Sequence, residues 1–312
     1  MNEIKNLGLP YMGSKRKLAP KIIKKILNDN TNTKYFYDLF GGGGAISFYI
    51  SNNYPDIKVF YNEYNKGVVE LLKKIKKDEI TKEFYNFIDR ESFIKNKDKD
   101  DWIGGLSKTV YSFGNNQKSY LYGKEIELYK YLLHKIIIDN SIKHLEEFNK
   151  KYDIKLNLSK KDDIRDRKLE ISKEIRKILK EQNNIIKRLI QVEHLDRIKL
   201  LENLKDNINF EILNYSYDEV EIKTPIDETI IYLDPPYKNT GKYQKDIDHN
   251  KLKDYIHSSP YTIYLSSYEN VYDMYLVDEY EHRSILSATT NNKVIEKLYC
   301  NKKIENKKIN LF

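Results

Sequence analysis

The sequence predicts an α/β fold in which a sheet of parallel strands is interrupted by a large, mainly helical insertion. Two strand–helix units follow one another from residue 35, and a β-α-β-α order specifies a parallel sheet. After about residue 81 the apolar spacing is almost wholly helical, and strand-like runs return only after about residue 207. We therefore predict one domain from residues 1–80 and 208–312, split by a helical domain at residues 81–207.

The individual elements follow from short apolar patterns and the residues that break them. KYFYDLF predicts a strand that the run GGGG ends, and AISFYISNN then predicts a helix. IKVFYNE predicts the second strand, and NKGVVELLKKIKKD has the spacing of an amphipathic helix. Five further strands are predicted after the insertion, by the runs NFEILNY, TIIYLD, YTIYLSS, MYLVDEYEH and KLYC.

The composition is that of a folded globular protein, with 40% hydrophobic and 33% charged residues. No run approaches the roughly 18 uncharged apolar residues of a membrane helix, and the first residues have no apolar signal region. We therefore expect a cytoplasmic protein with no membrane partner. Cys300 is the single cysteine, which excludes an intramolecular disulfide and a multi-cysteine zinc site. We expect no metal in the site.

The basic charge is concentrated in the predicted insertion. Residues 141–200 carry 17 Lys or Arg against 11 Asp or Glu, a net +6 of the chain's +8. Such a region is compatible with a polyanionic partner. It is equally compatible with a solvated surface in a chain rich in Lys and Asn.

The run DLFGGGG at residues 38–44 stands at a predicted strand-to-helix junction. Glycines there let the backbone turn tightly and approach a ligand. The spacing is neither GxGxxG nor a phosphate loop, because no GK[ST] follows. An ordinary turn is the alternative to a cofactor site, whose candidate residues here are Asp38, Phe40, Gly41 and Gly43.

Glu63 ends the next predicted strand, about 20 residues past the glycine turn, where an acidic side chain can accept hydrogen bonds from both hydroxyls of a ribose. This spacing favours a nucleoside-containing cofactor. An exposed carboxylate at a strand end is the alternative interpretation.

The sequence Asp234-Pro235-Pro236-Tyr237 follows a buried apolar strand and predicts the reaction. Two prolines remove backbone donors, so the Asp234 carboxylate and the Pro235 carbonyl form a rigid array of acceptors. An exocyclic amine supplies two N–H donors to such an array, which exposes its lone pair for attack on a sulfonium methyl group. Tyr237 offers a flat face on which an extruded base can stack. The alternative is a turn stiffened by proline.

With these motifs in this order, the sequence resembles the D12 class of adenine-specific DNA methyltransferases, the group that contains Dam-like enzymes. The resemblance spans nearly the whole chain. It is carried by YMGSKR at residues 11–16, DLFGGGG at 38–44, EYN at 63–65, DPPY at 234–237, HRSI at 282–285 and KVIEKL at 293–298. The order of the motifs resembles the alpha group of amino-methyltransferases.

The resemblance implies a Rossmann-like sheet that binds S-adenosylmethionine and an insertion that recognises the DNA target. Tyr11 and Lys15 match positions that contact the cofactor in the family. Glu63 matches the ribose ligand, and Asp234 matches the catalytic carboxylate next to the cofactor. The implied reaction is methylation of the exocyclic N6 of a flipped-out adenine in duplex DNA, in a bacterial or phage-infected cell.

Three departures from the family pattern limit what the resemblance implies. Ser216 stands where an acidic residue usually precedes an aromatic one, with Asp218 two residues later, so the adenine contact there is open. Ser14 and Gly42 replace common choices, and both are small. The residues typical of GATC-modifying members are not visible, so no target sequence is implied.

The polar loop of the insertion provides the first candidates for DNA contact. Amides can bond adenine bidentately, and lysine can reach guanine or phosphate. The candidates are Asn115, Asn116, Gln117 and Lys118. A solvated loop is the alternative. A cognate restriction endonuclease is compatible with this activity, and a monomer is the expected state.

Several other functions share parts of this pattern. N4-cytosine methylation uses the same chemistry, but that branch more often has Ser in place of Asp234. Enzymes that methylate RNA adenine or protein glutamine tend to have Asn there. From another class, a catalytically silent DNA-binding module remains an alternative, against which the intact Asp234, Tyr237, Glu63 and Lys15 argue.

Overall fold

The computed structural model describes residues 7–156, 158, 162–179, 191–236, 247–283 and 293–304. Within these ranges, seven strands form one sheet: β1 Tyr35–Asp38, β2 Lys58–Asn62, β3 Glu211–Leu213, β4 Thr229–Leu233, β5 Thr262–Ser267, β6 Tyr275–Arg283 and β7 Lys293–Cys300. Their order is β3-β2-β1-β4-β5-β7-β6. The predicted α/β class is confirmed.

The sheet is mixed rather than wholly parallel. Strands β1 to β5 pair in parallel, whereas β7 pairs antiparallel with both β5 and β6. Only nine residues separate β6 from β7 in the chain, fewer than the dozen or more that a parallel crossover requires. The β-α-β-α order therefore predicted the parallel part of the sheet correctly, but it did not predict the antiparallel direction of β7.

The part of the chain that the structure describes contains ten α-helices: α1 Ala19–Asp29, α2 Ala45–Asn53, α3 Lys66–Lys76, α4 Arg90–Asn96, α5 Trp102–Val110, α6 Lys124–Asp139, α7 Ile142–Tyr152, α8 Ile164–Leu179, α9 Glu193–Glu202 and α10 His249–Ser258. Helices α4 to α9 belong to the insertion, as its helical spacing predicted. No helix in these ranges has the length and apolar character to cross a membrane.

The core has two layers, one on each face of the sheet. Phe36, Tyr232 and Tyr264 pack on one face, and Tyr37 and Ile231 on the other, because successive side chains of a strand alternate. The first layer continues without a break into the buried residues of the insertion. The insertion therefore packs against one face of the sheet.

A close backbone contact fixes the insertion to the sheet domain. A Cβ added to Gly105 on α5 would lie 2.1 Å from the carbonyl oxygen of Gly67 on α3. Only glycine permits this approach. Because α3 directly follows β2, the contact places the polar loop after α5 near the ends of the central strands.

The strand order also determines where a ligand can bind. From β1 the chain continues to β2 on one side, whereas β4 leads to β5 on the other. Ligands of such sheets bind at the carboxyl ends of the strands where the order reverses. The glycine run follows β1 and Asp234 follows β4, so both lie at this position.

Candidate active site

The glycine run forms a tight turn between β1 and α2. The Gly41 amide donates to the Asn62 carbonyl at 2.8 Å, and the Gly44 amide donates to the Gly41 carbonyl at 2.7 Å. Gly42 and Gly44 have φ of 51° and 79°, the left-handed region that favours glycine. A Cβ on Gly41 would lie 2.2 Å from the Tyr61 ring. The chain's own packing therefore requires glycine here.

The segment before α1 is fixed against this turn. The Arg16 guanidinium donates to the carbonyls of Leu7, Gly8 and Leu9, and the Leu9 amide donates to the Gly43 carbonyl at 2.8 Å. A Cβ on Gly43 would lie 2.7 Å from the Cβ of Tyr11. Tyr11 therefore lies against the glycine turn, next to the predicted cofactor residues.

Glu63 lies at the same edge of the sheet and is 8% exposed. Its Oε2 accepts the Gly42 amide at 2.8 Å, and its Oε1 accepts the Asn65 amide at 2.7 Å. Burial raises the pKa of Glu63, and the two backbone N–H groups act in the opposite direction. Each oxygen has a second lone pair, so the carboxylate can accept two further donors. This arrangement fits the two hydroxyls of a ribose.

Asp38 and Phe40, both predicted cofactor residues, also make contacts within the protein. Asp38 is 2% exposed, and its Oδ2 accepts the Ser47 hydroxyl at 2.8 Å, which ties β1 to α2. Burial raises the pKa of Asp38 to about 7, and the carboxylates of Asp234 and Glu63 add to this rise. Phe40 is half-buried and stacks on Tyr217, with ring centroids 5.3 Å apart.

Asp234 is held by a lysine from the start of the chain. The Lys15 Nζ donates to Asp234 Oδ1 at 2.7 Å and lies 3.6 Å from Glu296 Oε1. Burial lowers the pKa of Lys15, but the charges of Asp234 and Glu296 outweigh it, so this pKa is raised and the side chain is an ammonium. The Asp234 side chain keeps 20% of its surface exposed, which leaves it accessible to a ligand.

Two prolines follow Asp234 in the turn after β4. Pro235 is buried and Pro236 is half-buried. Neither has a backbone N–H, so neither can donate a backbone hydrogen bond in this turn. Tyr237 lies outside the described residues, and its predicted stacking role stays a prediction.

A comparison with models of protein families shows which family the chain belongs to. The model of the D12 class N6 adenine-specific DNA methyltransferases matches residues 11–310. The chain belongs to this family. The resemblance seen in the sequence is thereby confirmed, together with DNA adenine methylation as the activity. A search of curated proteins found no match.

In this methyltransferase the polar loop after α5 is a folded structure. Asn116 Oδ1 accepts the amides of Lys118 and Ser119, both at 2.9 Å. Gln117 Oε1 accepts from Asn65 Nδ2 at 3.4 Å, so the loop contacts the residue that also binds Glu63. These two amides are thus engaged within the chain, whereas Lys118 is exposed.

The loop also presents an aromatic residue that was not among the DNA candidates. Phe113 is 63% exposed at the start of the loop, next to Gly114 with φ of 57°. An exposed aromatic side chain beside polar residues is a common feature of surfaces that bind bases. Its position in the SFGNNQK run was visible in the sequence, but its exposure was not.

A buried arginine of α9 holds the loop in place. Arg197 Nη1 donates to the carbonyls of Val110 at 2.9 Å and Ser112 at 2.8 Å, at the end of α5. The last carbonyls of a helix lack partners within the helix, and Arg197 supplies one. No sequence motif indicated this residue.

In the methyltransferase, the acidic side chain next to the Ser216 position is that of Asp218, and it is engaged within the chain. The Ser216 hydroxyl donates to Asp218, and Asp218 also forms an ion pair with Lys251. These hydrogen bonds and the charge of Lys251 lower the pKa of Asp218, although its partial burial acts to raise it. Asp218 is therefore a carboxylate with partners on both oxygens.

Proposed function

We propose that this enzyme transfers the methyl group of S-adenosylmethionine to N6 of an adenine rotated out of duplex DNA, with Asp234 and the Pro235 carbonyl as acceptors. The observation that carries this proposal is the placement of Asp234, ordered by Lys15 at the carboxyl edge that also holds Glu63 and the glycine turn. Family membership supplies the base, the atom and the DNA substrate.

The residues at this edge fit a nucleoside methyl donor. The Glu63 carboxylate can accept both ribose hydroxyls, and Tyr11 can cover the adenosine or the methionyl part. When bound, the donor supplies a methyl group on a positively charged sulfur. The Lys15 ammonium, ordered by Asp234, can pair through its charge with the carboxylate of the methyl donor.

Asp234 and the Pro235 carbonyl act on the nucleophile. Each accepts one N–H of the exocyclic amine, which draws N6 toward tetrahedral geometry. The N6 lone pair forms the new N–C bond while the electron pair of the broken C–S bond remains on sulfur. N6 then carries a positive charge, which the Asp234 carboxylate stabilises until one N–H proton passes to solvent water.

We further propose that residues 81–207 bind the DNA target. The insertion packs beside the active site, and its loop presents exposed Phe113 and Lys118 near Asn65. Asn115, Asn116 and Gln117 remain candidates, although the last two amides would have to exchange internal bonds for contacts with bases. We also propose a monomer as the acting form, which the molecular mass in solution tests.

The direct test is the modified base itself. The wild-type protein or Asp234→Ala is expressed in a host without adenine methylation, and the plasmid is recovered. The nucleosides of this plasmid are then identified by mass spectrometry. We expect N6-methyladenine with the wild type and none with Asp234→Ala, whose purified protein still binds DNA. N4-methylcytosine instead, or equal adenine methylation by both proteins, would contradict the proposal.

A further inference from the structure

A second buried carboxylate lies close to the ion pair of Asp234. Glu296 is on β7, is 1% exposed, and has Oε1 3.6 Å from the Lys15 Nζ. An ion taken out of water loses its hydration, which partners inside the protein must replace. The reaction described above gives Glu296 no contact with either substrate.

The strand order explains how Glu296 reaches the site. β7 is antiparallel to β5, and Lys297 pairs with Ser267, the last residue of β5. The beginning of β7 therefore lies at the carboxyl edge of the parallel strands. Glu296 shares a sheet face with Leu298, which packs in the same layer as Tyr232 of β4. Lys15 thus joins β4 and β7 across this edge.

The charges of this group matter for methyl transfer. N6 gains positive charge as the N–C bond forms, and Asp234 must favour that charge. A lysine ammonium 2.7 Å from Asp234 opposes it, because the pair alone is neutral. The Glu296 carboxylate, 3.6 Å from the same ammonium, offsets part of that positive charge.

We propose that Glu296 is a charge-compensating, positioning residue of the methyl-transfer step. Its carboxylate offsets the charge of Lys15, so that the ammonium opposes the positive charge that develops on N6 less strongly. The inference rests on the proposed function, because it requires Asp234 to contact N6.

The experiment compares two substitutions that separate charge from shape. Glu296→Gln keeps the size and removes the charge, whereas Glu296→Asp keeps the charge and shortens the side chain. Glu279→Gln is the matched control, because Glu279 is 47% exposed on the neighbouring strand β6 and pairs with Lys297 rather than Lys15. Single-turnover methylation of duplex DNA is measured with excess enzyme, and calorimetry gives the affinities for the methyl donor and for DNA.

We expect Glu296→Gln to slow the single-turnover rate about 10- to 100-fold with both affinities unchanged, as loss of one nearby charge predicts. Glu296→Asp should stay within about threefold of the wild type, because a Coulomb interaction falls only gradually with distance. Glu279→Gln should have the wild-type rate.

Packing alone would give the opposite order, since Gln is isosteric with Glu and Asp is not. A rate for Glu296→Gln equal to the wild type, or above that of Glu296→Asp, would overturn the inference. The inference would also be overturned if both variants lost rate together with binding affinity or with a lower melting temperature. If Glu296→Gln does not fold, Glu296→Asp decides: a near-wild-type rate supports the inference, and a slow rate with intact binding overturns it.

Asp234→Ala, measured in the same assay, separates this inference from the proposed function. Wild-type turnover by Asp234→Ala would remove the catalytic assignment itself. An inactive Asp234→Ala together with a fully active Glu296→Gln would overturn only the role of Glu296.

Discussion

The ammonium of Lys15 bonds the carboxylate of Asp234 at 2.7 Å, although 219 positions separate the two residues in the chain. Lys15 is 7% exposed, so this is a buried ion pair. It joins the segment before α1 to the turn after β4. A buried pair contributes little net stability compared with apolar packing, but breaking it leaves an uncompensated charge.

Lys15→Met should therefore destabilise the enzyme. Asp234 and Glu296 would lose the ammonium that lies between their carboxylates, and loss of one partner of a buried pair costs about 3–5 kcal/mol. Urea unfolding measures the free energy of unfolding. Lys17→Met is the control, because Lys17 is exposed two residues away. Equal unfolding free energies of the two variants would show that the pair is not formed in solution.

Glu63→Gln should weaken binding of the methyl donor. Hydrogen bonds to a charged group contribute about 1.5–3 kcal/mol, so calorimetry should show an affinity roughly 10- to 100-fold lower. Glu70→Gln on α3 is the control, because Glu70 pairs with Lys73 near the surface. An unchanged donor affinity in Glu63→Gln would remove this residue from the ribose site.

Phe113→Ala should reduce DNA affinity without loss of stability. Base–aromatic stacking contributes about 1–3 kcal/mol per base, and a side chain that is 63% exposed contributes little to the core. Fluorescence anisotropy with labelled duplex gives the dissociation constant. Ile142→Ala is the control, an apolar residue of the insertion that is 64% exposed. Equal DNA affinities of the two variants would exclude Phe113 from the interface.

Asp38 should make stability depend on pH. Burial raises its pKa in the folded protein from 3.8 to about 7. Between these values the folded chain keeps a proton that the unfolded chain has released, so the contribution of Asp38 is complete below about pH 4 and is lost as the pH rises through about 7.

Asp38→Asn does not titrate and isolates this contribution. The urea midpoint of the wild type relative to Asp38→Asn should fall from pH 5 to about pH 7 and level off above it. A constant difference between the two proteins over that range would mean that Asp38 is ionised throughout.

Local patterns predicted the sheet and the glycine turn, because apolar runs and glycine clusters are short-range signals. The burial of Lys15 and the contacts of Arg16 could not be predicted from such local patterns. From the residues alone, YMGSKRKL has the composition of a basic surface segment, yet Lys15 is buried on Asp234 and Arg16 binds three carbonyls. Contacts over long sequence separations decide such burial.

The same limit applies within the insertion. Arg197 bonds the carbonyl of Ser112 from 85 residues away, and nothing in its neighbourhood in the sequence distinguishes it from other basic residues. The polar loop was recognised by its composition, whereas the internal bonds of Asn116 and Gln117 depend on its folded path. Composition identifies the loop, and the fold determines which of its side chains face outward.

Strands β2 and β3 are neighbours, although the whole insertion lies between them in the chain. Asn62 pairs with Leu213, so the polypeptide leaves and rejoins the sheet at adjacent places. On the proposed assignment of DNA binding to residues 81–207, an exchange of this segment between family members would alter target preference and leave the residues at the carboxyl edge of the sheet unchanged. Any exchanged segment must contain a helix whose backbone can lie as close to Gly67 as that of α5 does.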